Sequence, residues 1–302
     1  MPTTEIFRDE GDIEEILLPP TLPEAHQIIT DLQRQLFNYQ SDLVQAARLQ
    51  RSLMLEVPKQ TPGFDIGVYY SPARIVGGDI VRFFEPIRTK DKTADLGILV
   101  ADSMDKGMAA ALYSAIALTH FQTATSLPFY DTPEKVMLYV NEQLLQFSEI
   151  KMYITGLYGL LDGEKGEFSY ARCGHEQILL FDHTYQPINV TLKAGQPLGI
   201  FNNIQIDSGD VIIPPGGLLV IISDGIVDET DNDDNTFGAK TLTKVIQQNG
   251  NLPAADLAVL IEKEIRKFQN GTTQFDDHSL VVIKRELLNT QKSEVVFSQN
   301  SS

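Results

Sequence analysis

Four short segments of the chain each place an aspartate beside a strand-like apolar run. In order, they are Gly77-Gly78-Asp79, Ala101-Asp102-Ser103-Met104-Asp105-Lys106-Gly107, Ser223-Asp224-Gly225 and Asp276-Asp277-His278-Ser279. Carboxylates gathered in one cleft repel one another and are forced to protonate unless a cation holds them together. Hard divalent cations prefer carboxylate and carbonyl oxygen. The pattern therefore predicts a fold in which strand ends converge on a divalent metal site.

The remaining apolar pattern predicts strands and helices in blocks. Short β-branched or aromatic runs predict strands at Phe64–Tyr70, Leu96–Ala101, Tyr153–Leu161, Glu167–Ala171, Ile178–Phe181, Leu218–Ile222 and Leu280–Ile283. Helices are predicted at Gly107–Thr125, Thr132–Ser148, Ala239–Asn249 and Pro253–Gln269. Because the two kinds of element do not alternate strictly, the pattern favours an α+β fold with packed antiparallel sheets over a doubly wound fold.

A longer helix is predicted from Glu24 to about Glu56, a stretch without proline or glycine. Its apolar seam alternates steps of three and four, and Gln50 interrupts it. The seam residues are Ile29, Leu32, Leu36, Tyr39, Leu43, Ala46 and Leu53. Two interpretations fit: a short coiled coil that pairs two protomers, or an amphipathic helix lying on its own domain. We predict a flexible acidic arm at 1–23, this helix or linker at 24–57, the main domain at 58–286 and a disordered tail at 287–302.

The amino-acid composition limits the kinds of partner and the location expected for this chain. The formal charge is −17, from 41 acidic and 24 basic residues. This balance argues against nucleic acid or an anionic membrane as the main partner, because phosphate groups select basic surfaces. The single cysteine, Cys173, permits no intrachain disulfide, and no signal pattern is visible. The most apolar helical stretch, Met108 to Leu118, is shorter than the roughly 20 residues that span a bilayer, so we expect a cytoplasmic protein.

Individual segments differ in how strongly they indicate a site. Asp102 ends an apolar strand, where a carboxylate is costly unless it is paired. Asp224 follows the apolar run Leu218–Ile222, whereas the acidic residues after it, from Asp228 to Asp234 and including Glu229, are expected in a solvated loop. Of the adjacent Asp276 and Asp277, one is expected to point inward and the other outward.

The ordered set resembles a known family. With Ala171-Arg172-Cys173-Gly174-His175 and Leu198-Gly199-Ile200 between them, the segments resemble the stage II sporulation protein E-type serine/threonine phosphatases, a bacterial branch of the protein phosphatase 2C-like superfamily. The resemblance runs from about Ala46 through Arg285. It implies a four-layer α-β-β-α sandwich, two antiparallel sheets flanked by helices, preceded by an N-terminal helix. It also implies a binuclear Mn²⁺ or Mg²⁺ centre between the sheets.

Carried over by position, the resemblance implies the metal-binding and catalytic residues Asp79, Asp102, Asp224 and Asp276, with Ser103 offering its backbone carbonyl. A hydroxide bridging the two metals would attack phosphorus. The implied substrate is phosphoserine or phosphothreonine on a regulatory protein, often an anti-sigma factor antagonist of the STAS type in a partner-switching pathway. Residues 58–286 would then be the phosphatase domain, and the N-terminal helix would dimerise it or relay a signal.

The chain also departs from the family pattern. Arg82 replaces a second aspartate, and Asp105 replaces a glycine whose backbone conformation aspartate adopts less easily. Arg82, Gly78 and Asp277 are candidate accessory residues; Arg82 is expected to neutralise a carboxylate, to contact phosphate or to weaken the outer shell of one metal. The departures keep open an alternative, a catalytically degenerate phosphatase-fold protein that acts as a regulatory binding module.

Other reactive residue types carry no clear role. Cysteine phosphatases need an arginine six positions after the cysteine, but Leu179 stands at that position after Cys173. Cys173 is therefore expected to be structural and buried. His175 is expected to be structural, with proton donation the less favoured alternative, and His278 is expected at the surface. Met104 stands where eukaryotic relatives carry a histidine acid, so the sequence identifies no general acid.

Overall fold

The computed structural model describes residues 22–54, 61–86, 94–191, 193 and 195–287. The chain divides into two compact units, Met1–Gln45 and Ala46–Ser302. Residues 1–21 of the predicted arm and 288–302 of the predicted tail lie outside the described residues, so the domain boundaries stay a prediction.

The predicted N-terminal helix is present as α1, Leu22–Met54. Within the first unit, the seam side chains of Ile29, Leu32, Leu36 and Tyr39 are all more than half exposed (53–71 %). An apolar stripe of this kind is the pattern of a helix that pairs with another helix.

The second unit contains two five-stranded sheets. In chain order, the strands are β1 (Phe64–Ser71), β2 (Ile80–Phe84), β3 (Leu96–Ser103), β4 (Ile154–Asp162), β5 (Glu167–Cys173), β6 (Leu179–Phe181), β7 (Pro187–Ile188), β8 (Asp207–Ile212), β9 (Leu218–Ile222) and β10 (His278–Arg285). One sheet has the order β1-β10-β9-β6-β7 and the other β2-β3-β4-β5-β8. Every strand pair is antiparallel.

Helices cover the outer faces of both sheets. They are α2 (Met108–Thr125), α3 (Pro133–Leu144), the short α4 (Asp224–Val227), α5 (Gly238–Asn249) and α6 (Ala254–Gln269). Helix α3 begins as its sequence predicts, because the Thr132 side chain accepts a hydrogen bond from the Lys135 amide and Pro133 fills the first turn. A 3-10 helix, Leu145–Ile150, continues it. No helix within the described ranges is long and apolar enough to cross a membrane.

The buried residues separate into layers that confirm the α-β-β-α sandwich. Ile98 and Val100 of β3 pack between the sheets with Leu219 and Val281 of the opposite sheet. Leu99 and its alternate neighbours face the other way, toward α2 and α3. A third cluster joins α5 and α6 to the β1-containing sheet. Period-two alternation along β3 therefore carries position 102, two residues beyond Val100, into the space between the sheets.

Three observed strands have no counterpart in the sequence prediction: β2, β7 and β8. All three lie at a sheet edge. The Arg82 side chain interrupts the apolar run of β2, and Ser208, Gly209 and Asp210 give β8 the composition of a turn. An edge strand needs little apolar pattern, since a neighbour pairs with it on one side only.

Candidate metal centre

Asp79 and Asp102 are two interacting carboxyl groups of the candidate centre. Asp79 immediately precedes β2 and is 1 % exposed, and Asp102 lies near the end of β3. The Asp79 side chain lowers the pKa of Asp102, against the larger effect of burial. Burial raises the pKa of Asp79 well above its usual value, and the charges of Asp102 and Asp277 raise it further. Among the described residues, Asp79 Oδ2 has no hydrogen-bond partner.

Asp224 and Asp276 complete the cluster from the opposite sheet. Asp224 opens α4 directly after the fully buried β9, and Asp276 lies two residues before β10. Burial and then the charge of Asp276 raise the pKa of Asp224. Burial, followed by the charge of Asp224, raises the pKa of Asp102 to about 7. The structure therefore brings all four sequence-predicted aspartates within electrostatic reach of one another.

The donor chemistry fits divalent cations. Raised carboxyl pKa values mean that the protein alone does not offset the negative charge, and the unpartnered Asp79 Oδ2 is an oxygen ready for a ligand. Carboxylate oxygens are the ligands that Mg²⁺ and Mn²⁺ prefer. In the described part of the chain, no three acidic, histidine or cysteine side chains already form a closed ligand group.

Asp277 anchors the loop that carries Asp79. Its Oδ1 accepts a hydrogen bond from the Ala73 amide at 2.7 Å. Its Oδ2 accepts from the amides of Gly78 at 2.5 Å and Asp79 at 3.3 Å. Asp277 is buried, whereas Asp276 is half-buried beside the cleft. Of the adjacent pair, Asp277 is therefore the carboxylate that points inward, where it accepts hydrogen bonds from backbone amides.

Gly77 and Gly78 matter because they lack a side chain, which lets neighbouring segments approach them closely. They do not adopt a backbone conformation that only glycine favours. Neither has a positive φ. A Cβ on Gly77 would collide with the Asp277 carboxylate, and one on Gly78 would lie 2.7 Å from Ser103 Oγ and 3.1 Å from the Ser103 carbonyl oxygen. The two glycines therefore permit the close approach of three chain segments.

Two buried hydroxyls join this loop to α2. Ser114 Oγ donates a short hydrogen bond to the Gly78 carbonyl and lies 3.0 Å from Ser103 Oγ. Ser103 Oγ donates to the Ala110 carbonyl at 3.1 Å. The Ser103 hydroxyl is thus directed to α2, while its backbone carbonyl lies beside Gly78.

Two basic residues near the aspartates received no role from the sequence. Lys106 Nζ lies 2.9 Å from Asp276 Oδ2, 2.6 Å from the Phe275 carbonyl oxygen and 3.4 Å from the Phe275 ring centroid. Arg74 is exposed, and together with Lys106 and Phe275 it lines a cavity of about 550 Å³. A larger cleft of about 750 Å³, around Phe64 and Arg285, contains none of the four aspartates.

Arg82 and Asp105, the two departures from the family pattern, lie in different surroundings. Arg82 Nη1 donates to the Met54 carbonyl at the end of α1, 3.2 Å away, and its strand position shares a face with Ile80 and Phe84. Asp105 has a φ of 74°, a left-handed conformation that glycine adopts without strain. The expectation for the Asp105 backbone is confirmed.

His278 and Glu229 correct two predictions. The expectation of a surface histidine was wrong, because His278 is 2 % exposed. Glu229 does not belong to the solvated loop either: it is 2 % exposed, and its Oε2 lies 2.8 Å from His278 Nε2. Burial lowers the pKa of His278, and Glu229 opposes that shift. The pair joins the segment after α4 to the start of β10, whereas Asp228 is exposed as expected.

His175 and Cys173 are buried and unreactive. His175 Nδ1 lies 3.3 Å from Thr155 Oγ1, and Thr155 is the cross-strand partner of Asp102. Burial and the charge of Arg172 lower the pKa of His175 to about 3, so its imidazole is uncharged at neutral pH. Burial raises the pKa of Cys173 to about 12, against the opposing effect of Arg172. Both residues suit the structural role expected of them.

Comparison with known proteins gives concordant matches. A profile of the stage II sporulation protein E (SpoIIE) family matches residues 92–286. The chain is 26% identical over 267 residues to phosphoserine phosphatase RsbU of Bacillus subtilis (strain 168), covering 87% of this chain and 75% of RsbU. It is 22% identical over 250 residues to phosphoserine phosphatase RsbP of the same organism, covering 82% of this chain and 58% of RsbP.

Solved structures show the same fold. The SiaA-PP2C domain of Pseudomonas aeruginosa superposes with a TM-score of 0.71 at 17% identity, covering 83% of this chain and 99% of that domain. RsbX in complex with magnesium superposes with a TM-score of 0.54 at 16% identity, covering 77% of this chain and all (100%) of RsbX.

Proposed function

The chain belongs to the stage II sporulation protein E family of protein serine/threonine phosphatases, and we propose that it hydrolyses phosphoserine or phosphothreonine on a regulatory protein with the help of divalent cations. The observation that carries the proposal is the buried carboxyl group of Asp79, which lies beside the charges of Asp102 and Asp277 and whose Oδ2 has no hydrogen-bond partner among the described residues. Such an arrangement costs stability without a cation and gains stability with one.

In this proposal, two Mn²⁺ or Mg²⁺ ions are held by the side chains of Asp79, Asp102, Asp224 and Asp276 and by the Ser103 carbonyl. When bound, two such cations supply a hydroxide at neutral pH and neutralise phosphoryl oxygens. The magnesium complex of the related-fold protein RsbX supports this choice of cation. Asp277 and Gly78 position the Asp79 loop and do not themselves act on the substrate.

Arg74 and Lys106 are proposed to bind the substrate phosphate. In a chain of net charge −17, a phosphoryl dianion needs local cations to overcome the general repulsion. Arg74 and Lys106 line one cavity beside Asp276. A guanidinium binds phosphate oxygens through parallel charge-assisted hydrogen bonds, which suits Arg74 to this task.

The proposed substrate is a phosphorylated anti-sigma factor antagonist of the STAS type in a partner-switching pathway. Support comes from the family and from relatives named phosphoserine phosphatase. We propose residues 58–286 as the phosphatase domain and a cytoplasmic location. Homodimerisation through the apolar seam of α1 is also proposed, because an apolar stripe that alternates steps of three and four along a continuous helix is the pattern of a coiled coil.

The test is hydrolysis of p-nitrophenyl phosphate with and without Mn²⁺, for the native chain, Asp224→Asn and a matched control, Asp233→Asn. Asp233 is an exposed acidic residue of the following loop. We expect Mn²⁺-dependent turnover that Asp224→Asn abolishes and Asp233→Asn preserves. Native activity in Asp224→Asn would exclude the proposed site.

The alternative, a degenerate phosphatase that only binds partners, draws support from Arg82 and the left-handed Asp105. It predicts cation binding or partner binding without turnover. Folded native protein that binds Mn²⁺ yet shows no Mn²⁺-stimulated hydrolysis of a phosphoserine peptide would favour this alternative.

A further inference from the structure

The side chain of Gln50 forms a two-way hydrogen-bonded pair with the backbone of Gly77. Gln50 Nε2 donates to the Gly77 carbonyl at 2.6 Å, and the Gly77 amide donates to Gln50 Oε1 at 3.2 Å. The two bonds satisfy the N–H and the C=O of Gly77, which is buried, as pairing with a neighbouring strand would. Gln50 is also the residue that interrupts the apolar seam of α1.

Gly77 lies two residues before Asp79, and the segment between them is fixed at every peptide group. Asp277 accepts hydrogen bonds from the Gly78 and Asp79 amides, and Ser114 donates to the Gly78 carbonyl. Gln50 is therefore the contact that fixes the start of this segment. A shift of the Gly77 peptide would pass directly to the Asp79 carboxylate.

A second contact ties the end of α1 to the other side of Asp79. Met54 is 2 % exposed, and its carbonyl accepts a hydrogen bond from Arg82, three residues beyond Asp79 in β2. The last turns of α1 are thus joined to the chain both before and after this aspartate.

We infer that Gln50 is a positioning residue of the metal centre, fixing through Gly77 the place at which the Asp79 carboxylate meets the cation. The inference rests on the proposed function. Residues that orient metal ligands without touching the metal alter affinity by about 10–100-fold when replaced. Gln50 would be such an orienting residue, although it lies in a helix outside the sandwich.

The experiment compares native protein with Gln50→Met, which keeps the side-chain length and removes both hydrogen bonds, and Gln50→Glu, which keeps only the acceptor. Gln45→Met, at an exposed glutamine of the same helix, is the control. Mn²⁺ affinity is measured by calorimetry, and amide hydrogen exchange is followed over residues 75–79. Thermal melting in EDTA reports the fold.

We expect Gln50→Met to weaken Mn²⁺ binding about 10-fold or more, to speed exchange over 75–79 and to leave exchange in both sheets unchanged. The Mn²⁺ affinity and the exchange rate over 75–79 in Gln50→Glu should fall between those of Gln50→Met and native protein. Both quantities in Gln45→Met should match those of native protein. Excess Mn²⁺ should restore kcat in Gln50→Met.

Native Mn²⁺ affinity in Gln50→Met would overturn the inference. So would weakened binding accompanied by faster exchange throughout both sheets, since Gln50 would then support the fold as a whole. Failure of native protein to bind Mn²⁺ would refute the proposed function instead, so the two hypotheses fail separately.

Discussion

The pKa of the Asp102 carboxyl reflects the negative charge of the candidate metal centre. Its carboxyl is half-buried, and burial together with the charge of Asp224 raises its pKa to about 7. A group of this kind destabilises the folded protein when it ionises unless a cation compensates the charge.

Metal-free protein should therefore lose stability as the pH rises from about 4 to 7. In this window folded Asp102 holds a proton that the unfolded chain, with a carboxyl pKa near 3.8, has released. The free energy of unfolding falls with rising pH by at most about 4 kcal/mol from this group. Urea denaturation in EDTA at several pH values measures the slope, and Asp102→Asn should flatten it. Mn²⁺ affinity should rise over the same range.

Asp105→Gly should stabilise the protein by about 1 kcal/mol, because glycine occupies a left-handed backbone without strain. The gain is limited because Asp105 Oδ1 accepts a hydrogen bond from the Lys106 amide at 2.9 Å. Urea denaturation measures the change. Asp234→Gly should give a similar gain, since Asp234 also has a positive φ, 59°, and lies in an exposed loop. Lower stability of Asp105→Gly would contradict this account.

Arg74→Ala should raise KM for a phosphoserine peptide by about 10-fold or more, since a hydrogen bond to a charged group contributes roughly 1.5–3 kcal/mol. Mn²⁺ affinity should not fall, because Arg74 repels cations. Steady-state kinetics at saturating Mn²⁺ provide the measurement. Arg34→Ala, at an exposed arginine of α1, is the control. An unchanged KM in Arg74→Ala would remove this residue from the proposed phosphate site.

At the scale of elements, the Glu229–His278 pair joins the segment after α4 to β10. Removing one partner of a buried hydrogen-bonded pair leaves the other polar group unsatisfied, at a cost of about 1–3 kcal/mol. His278→Ala should therefore lower the free energy of unfolding by about this amount, and Asp228→Ala, at an exposed neighbour of Glu229, should change it little. Equal effects of the two substitutions in urea denaturation would contradict a special role for the pair.

The sequence predicted the central elements and the four aspartates, because both follow from local pattern. Apolar runs such as Leu218–Ile222 are central strands, and the motif order places Asp224 and its counterparts at strand ends. It did not predict the edge strand β8, whose residues resemble a turn. Nor did it identify partners such as Gln50 for Gly77 or Glu229 for His278, since each contact joins segments far apart in the chain.

At the scale of the whole molecule, the exposed seam of α1 predicts association. Leu32 and Leu36 are 57 % and 58 % exposed. We expect a dimer that Leu36→Glu converts to monomer, as measured by light scattering after size-exclusion chromatography. Asn38→Glu introduces the same charge away from the seam and should leave the dimer intact. A monomeric native protein would instead favour the amphipathic-helix alternative.

The anchoring of the Gly78 amide by Asp277, 199 positions later in the sequence, has a consequence for biosynthesis. Strand β10 lies between β1 and β9, so the last of the described strands to be synthesised completes the interior of its sheet. Until then, the earliest motif lacks the carboxylate that holds its peptide groups. A nascent chain therefore cannot complete this contact before residue 277 has been made. Premature termination before residue 277 should yield an inactive product, however much of the chain has been made.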